Sequence, residues 1–316
     1  QDIAGGYCGK LLAGYGAEVI TVEAPGGRGR IRAEGPFADE AAPGETGAMH
    51  LYLNTGKQSV TLDVESVSGT ALLVRLLEHA DAVVVDGPHP WLDDLGLDHD
   101  TRAELFPKLV TTLVSTFGQT GPYADYTSTN LTSFAAGGQM ALTGEPDREP
   151  LKNGGYQAEY QAGLNAFTAT LAGLWAADDR GDGDEIDIAA MEVMASTLEA
   201  SLNTYCYLQR PALGGRRGNI MSSVIGIYPC ADGYLGVHAM PRNWPALARL
   251  IEGDDLVTDE RFYSQAARLQ HEDELRATIY AWAGDKDKRE VYAAAGKMRA
   301  PVADGHDMAD LYESPQ

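Results

Sequence analysis

The chain alternates helix-like segments with short apolar segments, and this alternation limits the folds that it can adopt. Its first half contains such pairs, each a helical pattern followed by an apolar segment: residues 9–15 and 16–23, 69–79 and 82–85, 98–105 and 109–115. Repeated helix–strand units build a mostly parallel sheet with right-handed crossovers. The sequence therefore predicts an α/β fold, in which ligands bind at the carboxyl ends of the strands.

A long helix is predicted over residues 159–175, and it has two nonpolar faces. One face is bulky and the other consists of small residues: Leu164, Phe167, Leu171 and Leu174, against Gly163, Ala166, Thr170 and Gly173. A helix with two nonpolar faces is expected to be buried between layers. A second long helix, predicted over residues 188–208, follows the strand pattern at residues 185–188.

The character of the chain changes around residues 211–218, which read as a loop and a domain boundary. Short strand patterns at residues 225–230 and 233–239 follow, separated by a turn. Helical patterns then occur at residues 243–251, 272–282 and 286–295. We therefore expect a large α/β domain over residues 1–210 and a smaller α+β domain over residues 219–300.

Charge and cysteine content exclude several classes of function. The formal net charge of −22 disfavours nonspecific attraction to nucleic acid or to an anionic membrane. Cys8, Cys206 and Cys230 lie far apart without a CxxC motif, which favours free thiols in a reducing, cytoplasmic setting. No apolar run has membrane-spanning length, and the histidines show no metal-ligand spacing. In so acidic a chain, an anionic ligand has to be bound by local clusters of basic residues.

The basic segment PGGRGRIR, residues 25–32, is a candidate phosphate site. Its glycines and Arg28, Arg30 and Arg32 come directly after a predicted strand, an arrangement that suits a phosphate group. It is not a dinucleotide-binding fingerprint, because no helix is predicted after the glycines. The alternative is a solvated surface loop.

Two further segments have weaker signals. Lys57 lies in a turn before a predicted strand, within LNTGKQSVTLD. The segment FGQTGPY, which contains Gly118, Gln119 and Gly121, follows the strand pattern that ends at Ser115 and can form a pocket wall. Each segment taken alone is typical of an ordinary loop.

Glu159 is the candidate catalytic residue. It lies in the first turn of the predicted long helix, four residues before Gly163, so it points along the small-residue face. The helix dipole favours the ionised form of such a carboxylate by ~0.3–1 kcal/mol. An ionised, partly desolvated carboxylate can attack a thioester. The alternative is a carboxylate that only stabilises the start of the helix.

Several segments in a fixed order resemble the family III CoA-transferases, which include formyl-CoA transferase, carnitine CoA-transferase and α-methylacyl-CoA racemase. They are AGGYCGKLLAGYGAEVITVEAPGG, LNTGKQSVTLD, LVSTFGQTGPY, IYPCADGYLGV and DERFYSQAARLQHEDELRATIYAW. The resemblance implies two interlocked ring-shaped monomers, each with a Rossmann-like large domain and a small domain. It also implies that residues 301–316 begin a return to the large domain. The expected assembly is a homodimer or a heteromer with a paralogous subunit.

The resemblance also implies coenzyme A or an acyl-CoA as substrate, with a small carboxylic acid as the second substrate. The family's nucleophilic aspartate corresponds to Glu159, Arg32 to an arginine that faces CoA, and Ala4 to part of the CoA-lining loop. The sequence departs from the family at the nucleophile, which is glutamate, and at DGPHPW, residues 86–91. At the positions of residues 86–91, the family has asparagine, an aromatic residue, arginine, proline and glycine.

The resemblance leaves more than one function open. The leading interpretation is CoA transfer from an acyl-CoA to a carboxylic acid, through an enzyme-bound anhydride and a glutamyl-CoA thioester at Glu159. The alternative is a non-catalytic subunit or half that pairs with an active partner. Racemase activity is disfavoured, because Thr129 and Pro241 occupy the places of the family's proton-transferring His and Glu. A plain Rossmann nucleotide binder is disfavoured by the missing GxGxxG motif.

Overall fold

The computed structural model describes residues 2–26, 29–37, 47–87, 91–145, 147–209 and 224–315. The chain divides into a first unit, Gln1–Ala141 with Leu151–Leu202, and a second unit, Leu142–Pro150 with Asn203–Gln316. The predicted boundary at residues 211–218 lies outside the described residues. Residues 301–316 lie in the second unit, where a strand within them joins its sheet, and their return to the large domain stays a prediction.

The strands of the first unit are parallel, as the helix–strand alternation predicts. Within the described residues they form two sheets: β1 (Ile20–Glu23) beside β2 (Gln58–Thr61), and β3 (Ala82–Asp86), β4 (Val110–Ser115) and β5 (Glu185–Ala189) in that order. The sequence predicted one mostly parallel sheet. The described residues form two sheets instead of one, because no backbone hydrogen bonds pair β2 with β3 among them.

The helices of the first unit connect these strands and carry the candidate site. They are α1 (Ile3–Gly14), α2 (Arg30–Ala33), α3 (Ala48–Leu53), α4 (Val67–Leu77), α5 (Trp91–Asp94), α6 (His99–Leu105), α7 (Asn130–Ala136), α8 (Gln157–Arg180) and α9 (Ala190–Ser196), with a 3₁₀ turn at Gln139–Leu142. The next helix along the chain is α10 (Glu199–Leu208). The division between the two units falls within α10.

Two of the sequence predictions about these helices are wrong. The helix predicted over residues 188–208 is interrupted between α9 and α10. There the hydroxyls of Ser196 and Thr197 donate to the carbonyls of Val193 and Met194, so they compete with the helical hydrogen bonds. A short helix, α2, does follow the glycines of the basic segment, because Ile31 is buried and anchors the turn.

The two faces of α8 differ in burial. The small-residue face is buried, and Gly163 lies so close to α1 that a Cβ there would be 2.4 Å from the carbonyl oxygen of Ala4. The bulky face is open in this chain, where Leu164 is 47% and Leu171 is 44% exposed. The expectation that both faces are buried therefore holds only for the small-residue face.

The second unit has an antiparallel sheet covered by helices. Its sheet order is β6 (Gly226–Cys230), β7 (Gly233–Val237) and β8 (Val302–Asp304). Its helices are α11 (Trp244–Glu252), α12 (Asp254–Thr258), α13 (Gln265–Gln270), α14 (Glu272–Ala283), α15 (Lys288–Met298) and α16 (Met308–Glu313), with a 3₁₀ turn at Pro241–Asn243. Tyr228, Leu235, Leu247 and Leu275 are fully buried in its core.

A search of the described residues for membrane-crossing helices found none of sufficient length and apolar character.

Gly163→Ala should destabilise the chain by ~1–3 kcal/mol, because the added Cβ would meet backbone that cannot give way. Urea unfolding measures this change as a lower free energy of unfolding. Gly14→Ala, in α1, is the matched control, since a Cβ there meets nothing within 4 Å. That variant should be as stable as the parent or slightly more so. Equal stability of the two variants would contradict the close packing of α1 on α8.

Candidate active site

The carboxylate of Glu159 is held by one donor on each oxygen. Asn130 Nδ2 donates to Oε2 at 2.9 Å, and Arg30 Nη1 lies 3.3 Å from Oε1. The side chain of Glu159 is 16% exposed. The site thus combines a partly buried carboxylate, a neutral amide and a guanidinium.

The starts of three helices bring these side chains together. Glu159 lies in the first turn of α8, Asn130 opens α7 and Arg30 opens α2. A capping box fixes the start of α7: the Thr129 hydroxyl accepts from the amide of Thr132, and the Thr132 hydroxyl accepts from the amide of Thr129. Thr129 therefore serves as a helix cap.

Burial raises the pKa of Glu159 above its ordinary value, while the Asn130 hydrogen bond and the Arg30 charge act in the opposite direction. From the helix dipole alone, the sequence predicted an ionised carboxylate. In the structure, desolvation is the largest influence on this pKa, because the side chain is mostly buried. A raised pKa makes the carboxylate more basic and therefore a stronger nucleophile once it is ionised.

Arg30 is shared among several carboxylates. Its Nη1 lies 2.9 Å and 3.0 Å from the two oxygens of Asp2, and its Nε donates to Glu34 at 3.2 Å. Its guanidinium also lies 5.6 Å from the ring centre of Tyr156. Asp2 caps α1 and Glu34 follows α2, so Arg30 connects both of these helices to Glu159 on α8.

The first turns of α1 are clamped by two charged side chains. The amide of Gly5 donates to Asp86 Oδ2 at 2.6 Å, and Lys57 Nζ donates to the carbonyl of Gly6 at 2.7 Å. Lys57 directly precedes β2, as predicted, and burial lowers its pKa to about 8. Ala4, between these contacts and Gly163, is buried.

Within the described residues, Arg30 and Arg32 of the predicted basic cluster are each paired with carboxylates. Arg32 makes a double ion pair with Glu23, with Nε to Oε2 at 2.6 Å and Nη2 to Oε1 at 3.0 Å. This pairing holds the pKa of Glu23 at about 2. Arg30 contacts other carboxylates, and Arg28 lies outside the described residues.

The loop after β4 shapes a wall of a groove. Gly118 and Gly121 have φ of +86° and +96°, a conformation that favours glycine. The amide of Gln119 donates to Asp187 Oδ2 at 2.7 Å, which fixes the loop against β5. Gln119 also lines a groove of about 210 Å³ together with Val85, Gly87, Trp91, Leu92, Asp93, His99, Arg102, Leu113, Thr120 and Glu185.

Sequence reasoning missed Asn130, Asp2 and Asp86 as parts of the site. Asn130 lies 29 positions before Glu159, so its hydrogen bond cannot be read from local spacing. A signal for it was available in TSTN, whose hydroxyl residues predict a helix start at this position.

The Cys8 thiol has little support as the source of reactivity. Burial raises the pKa of the Cys8 thiol to about 12, so it is not ionised at neutral pH. Across the parts of the chain that the structure describes, no cluster of three or more His, Cys, Asp or Glu side chains could hold a metal ion.

Comparison with known proteins gives the family. The family described as CoA-transferase family III matches residues 1–316. The succinate–glutarate CoA-transferase of Agrobacterium fabrum is 33% identical, over 99% of this chain and 79% of that enzyme. The chain belongs to CoA-transferase family III. The resemblance inferred from the ordered sequence segments is thereby confirmed.

Two further proteins place this family III chain among known relatives. The succinyl-CoA–D-citramalate CoA-transferase of Chloroflexus aurantiacus is 35% identical, over 89% of this chain and 69% of that enzyme. The crystal structure of a CaiB/BaiF family protein from Brucella suis matches with a TM-score of 0.84 at 31% identity, covering 99% of this chain and 83% of that chain. The mixed α/β fold with parallel sheets is therefore a fold that solved relatives share.

Asp86→Asn should change how stability depends on pH. Burial raises the pKa of Asp86 from 3.8 to about 7. The stabilisation associated with such a raised pKa is complete below pH 3.8 and is lost as the pH rises through about 7. We therefore expect the variant to gain stability relative to the parent between these values and to keep that gain at higher pH. Urea unfolding at several pH values measures the difference, and a difference independent of pH would contradict this prediction.

Proposed function

We propose that the chain is an acyl-CoA:carboxylate CoA-transferase in which Glu159 is the nucleophile. The observation that carries the proposal is the partly buried Glu159 carboxylate, with Asn130 and Arg30 on its two oxygens. The two enzymes named above are a succinate–glutarate and a succinyl-CoA–D-citramalate CoA-transferase, so we propose a dicarboxylic acid or its CoA ester as substrate of this chain.

The proposed reaction is a sequence of acyl exchanges at Glu159. The Glu159 carboxylate attacks the thioester carbonyl of the acyl-CoA, and the CoA thiolate leaves to give a mixed anhydride. The thiolate then attacks the Glu159 carbonyl, which releases the donor acid and forms a glutamyl-CoA thioester. The acceptor carboxylate attacks that thioester, and the released thiolate takes the acceptor acyl group, which restores the Glu159 carboxylate.

The neighbours of Glu159 support this chemistry. The Asn130 amide fixes the orientation of the carboxylate. The direction from which the carboxylate attacks is therefore fixed before the substrate binds. Arg30 favours the ionised form that the first step requires. The glutamate at this position carries one methylene more than the family's aspartate, and its carboxylate is held by Asn130 and Arg30.

We propose the segments around Glu159 as the CoA site. The loop with Gly118, Gln119 and Gly121 forms one wall, with the groove that Gln119 lines beside it. Ala4 completes the lining that family resemblance implies, and Arg28 is added from the basic segment that suits a phosphate group. Lys57 and Arg32 support the site indirectly, since they hold α1 and the end of β1 through Gly6 and Glu23.

We further propose that the large domain is Rossmann-like and that two chains form an interlocked dimer. The open face of α8 supports an association, because Leu164, Leu171 and Trp175 are 47%, 44% and 80% exposed.

Leu164→Glu/Leu171→Glu should weaken this association, because two carboxylates would enter an apolar interface. Light scattering on the parent should show a dimer or larger assembly, and the double variant should contain monomer. Val67→Glu, a change at a 90% exposed position of α4, serves as the control. A parent protein that is monomeric and active would contradict the proposal.

The role of Glu159 is tested by transfer assays on variants. Glu159→Gln should lower the rate of CoA transfer by at least ~1,000-fold, because an amide cannot attack the thioester. Glu159→Asp should keep substantial activity, since it retains the carboxylate and changes only its reach. Glu192→Gln, in the first turn of α9, is a control for loss of a helix-start carboxylate. Transfer at the parent rate by Glu159→Gln would overturn the proposal and favour a non-catalytic role.

A further inference from the structure

Arg30 has more anionic partners than one cation can neutralise. Its guanidinium contacts Asp2, Glu34 and Glu159, which come from three different segments of the first unit. Nη1 donates to both Asp2 and Glu159, whereas Nε donates to Glu34. The guanidinium is therefore attached to α1 and α2 through Asp2 and Glu34, while its Nη1 also reaches Glu159.

The charge on Glu159 disappears during the proposed reaction, on which this inference rests. In the anhydride and in the glutamyl-CoA thioester, Glu159 is an uncharged acyl group and no longer an ion-pair partner. Arg30 then loses its contact at Oε1, while Asp2 and Glu34 keep it in place. A cation that faces a newly neutral acyl group is suited to bind another carboxylate at the same position.

We propose that Arg30 binds the acceptor carboxylate while Glu159 carries CoA. One oxygen of the acceptor accepts from the guanidinium in the place that Oε1 of Glu159 occupied. The other oxygen is thereby directed at the Glu159 carbonyl carbon, where it forms the new bond as the CoA thiolate leaves. When Glu159 becomes a carboxylate again, it displaces the product from Arg30.

This exchange also explains why Arg30 is not free to serve CoA phosphates. Asp2 and Glu34 reduce its net charge, so it suits a single carboxylate better than a dianionic phosphate. The ring of Tyr156 beside the guanidinium restricts its movement further. Arg30 is in this view a specificity-determining residue for the second half of the reaction.

The second half-reaction tests acceptor binding by Arg30 separately, because it starts from the glutamyl-CoA thioester at Glu159. Protein is first loaded with an excess of succinyl-CoA, desalted, and mixed with increasing glutarate, and the transfer of CoA is followed by rapid quench. Arg30→Gln should raise the glutarate concentration for half-maximal rate by about 10- to 100-fold, the effect of one charge-assisted hydrogen bond. Arg30→Lys should restore part of the loss. Arg180→Gln, which removes a guanidinium from the opposite end of α8, should match the parent.

Glu34→Gln provides a test of opposite sign. Removal of this competing carboxylate should lower the half-maximal glutarate concentration, which a damaged fold would not do. If Arg30→Gln does not fold, a half-maximal concentration that is unchanged or raised in Glu34→Gln overturns the inference. If both variants load but respond to glutarate as the parent does, the inference is also wrong. Absence of the CoA thioester in the parent, by contrast, would contradict the proposed function itself.

Discussion

The close packing of α1 on the small-residue face of α8 underlies the site. Gly163 carries no side chain, so the carbonyl of Ala4 can approach its Cα, and α1 lies directly beside the turn that bears Glu159. The other side of α1 is held by Asp86 on the Gly5 amide and Lys57 on the Gly6 carbonyl. α1 is thereby fixed to both parallel sheets and to α8. A shift of α1 would therefore also displace the carboxylate of Glu159.

The second constraint is electrostatic. In a chain with a net charge of −22, an ionised and partly buried carboxylate needs a nearby cation. Arg30 supplies it for Glu159, and Asn130 supplies a neutral donor. The other arginine of the segment, Arg32, is committed to Glu23. The basic residues that suggested a phosphate site in the sequence are thus used largely to organise carboxylates in the structure.

Much of the fold can be predicted from residue patterns, because these patterns reflect local preferences. Helix–strand alternation predicted the parallel strands, and the small residues of α8 predicted a buried face. The break between α9 and α10 was not predicted, since it depends on the hydroxyls of Ser196 and Thr197 turning back onto the helix. The Arg30–Glu159 pair was not predicted either, because it joins positions 129 residues apart. Long-range pairs of this kind depend on how helices pack, which residue spacing does not encode.

The central claim is that the acyl group and CoA pass through Glu159, and peptide mass spectrometry tests it most directly. Protein incubated with succinyl-CoA and then with hydroxylamine should carry a hydroxamate, because hydroxylamine cleaves an activated glutamyl ester or thioester. After digestion, we predict this modification on the peptide that contains Glu159, dependent on succinyl-CoA and absent when CoA alone is added. A modification at another residue, or none in protein that catalyses transfer, would contradict the account.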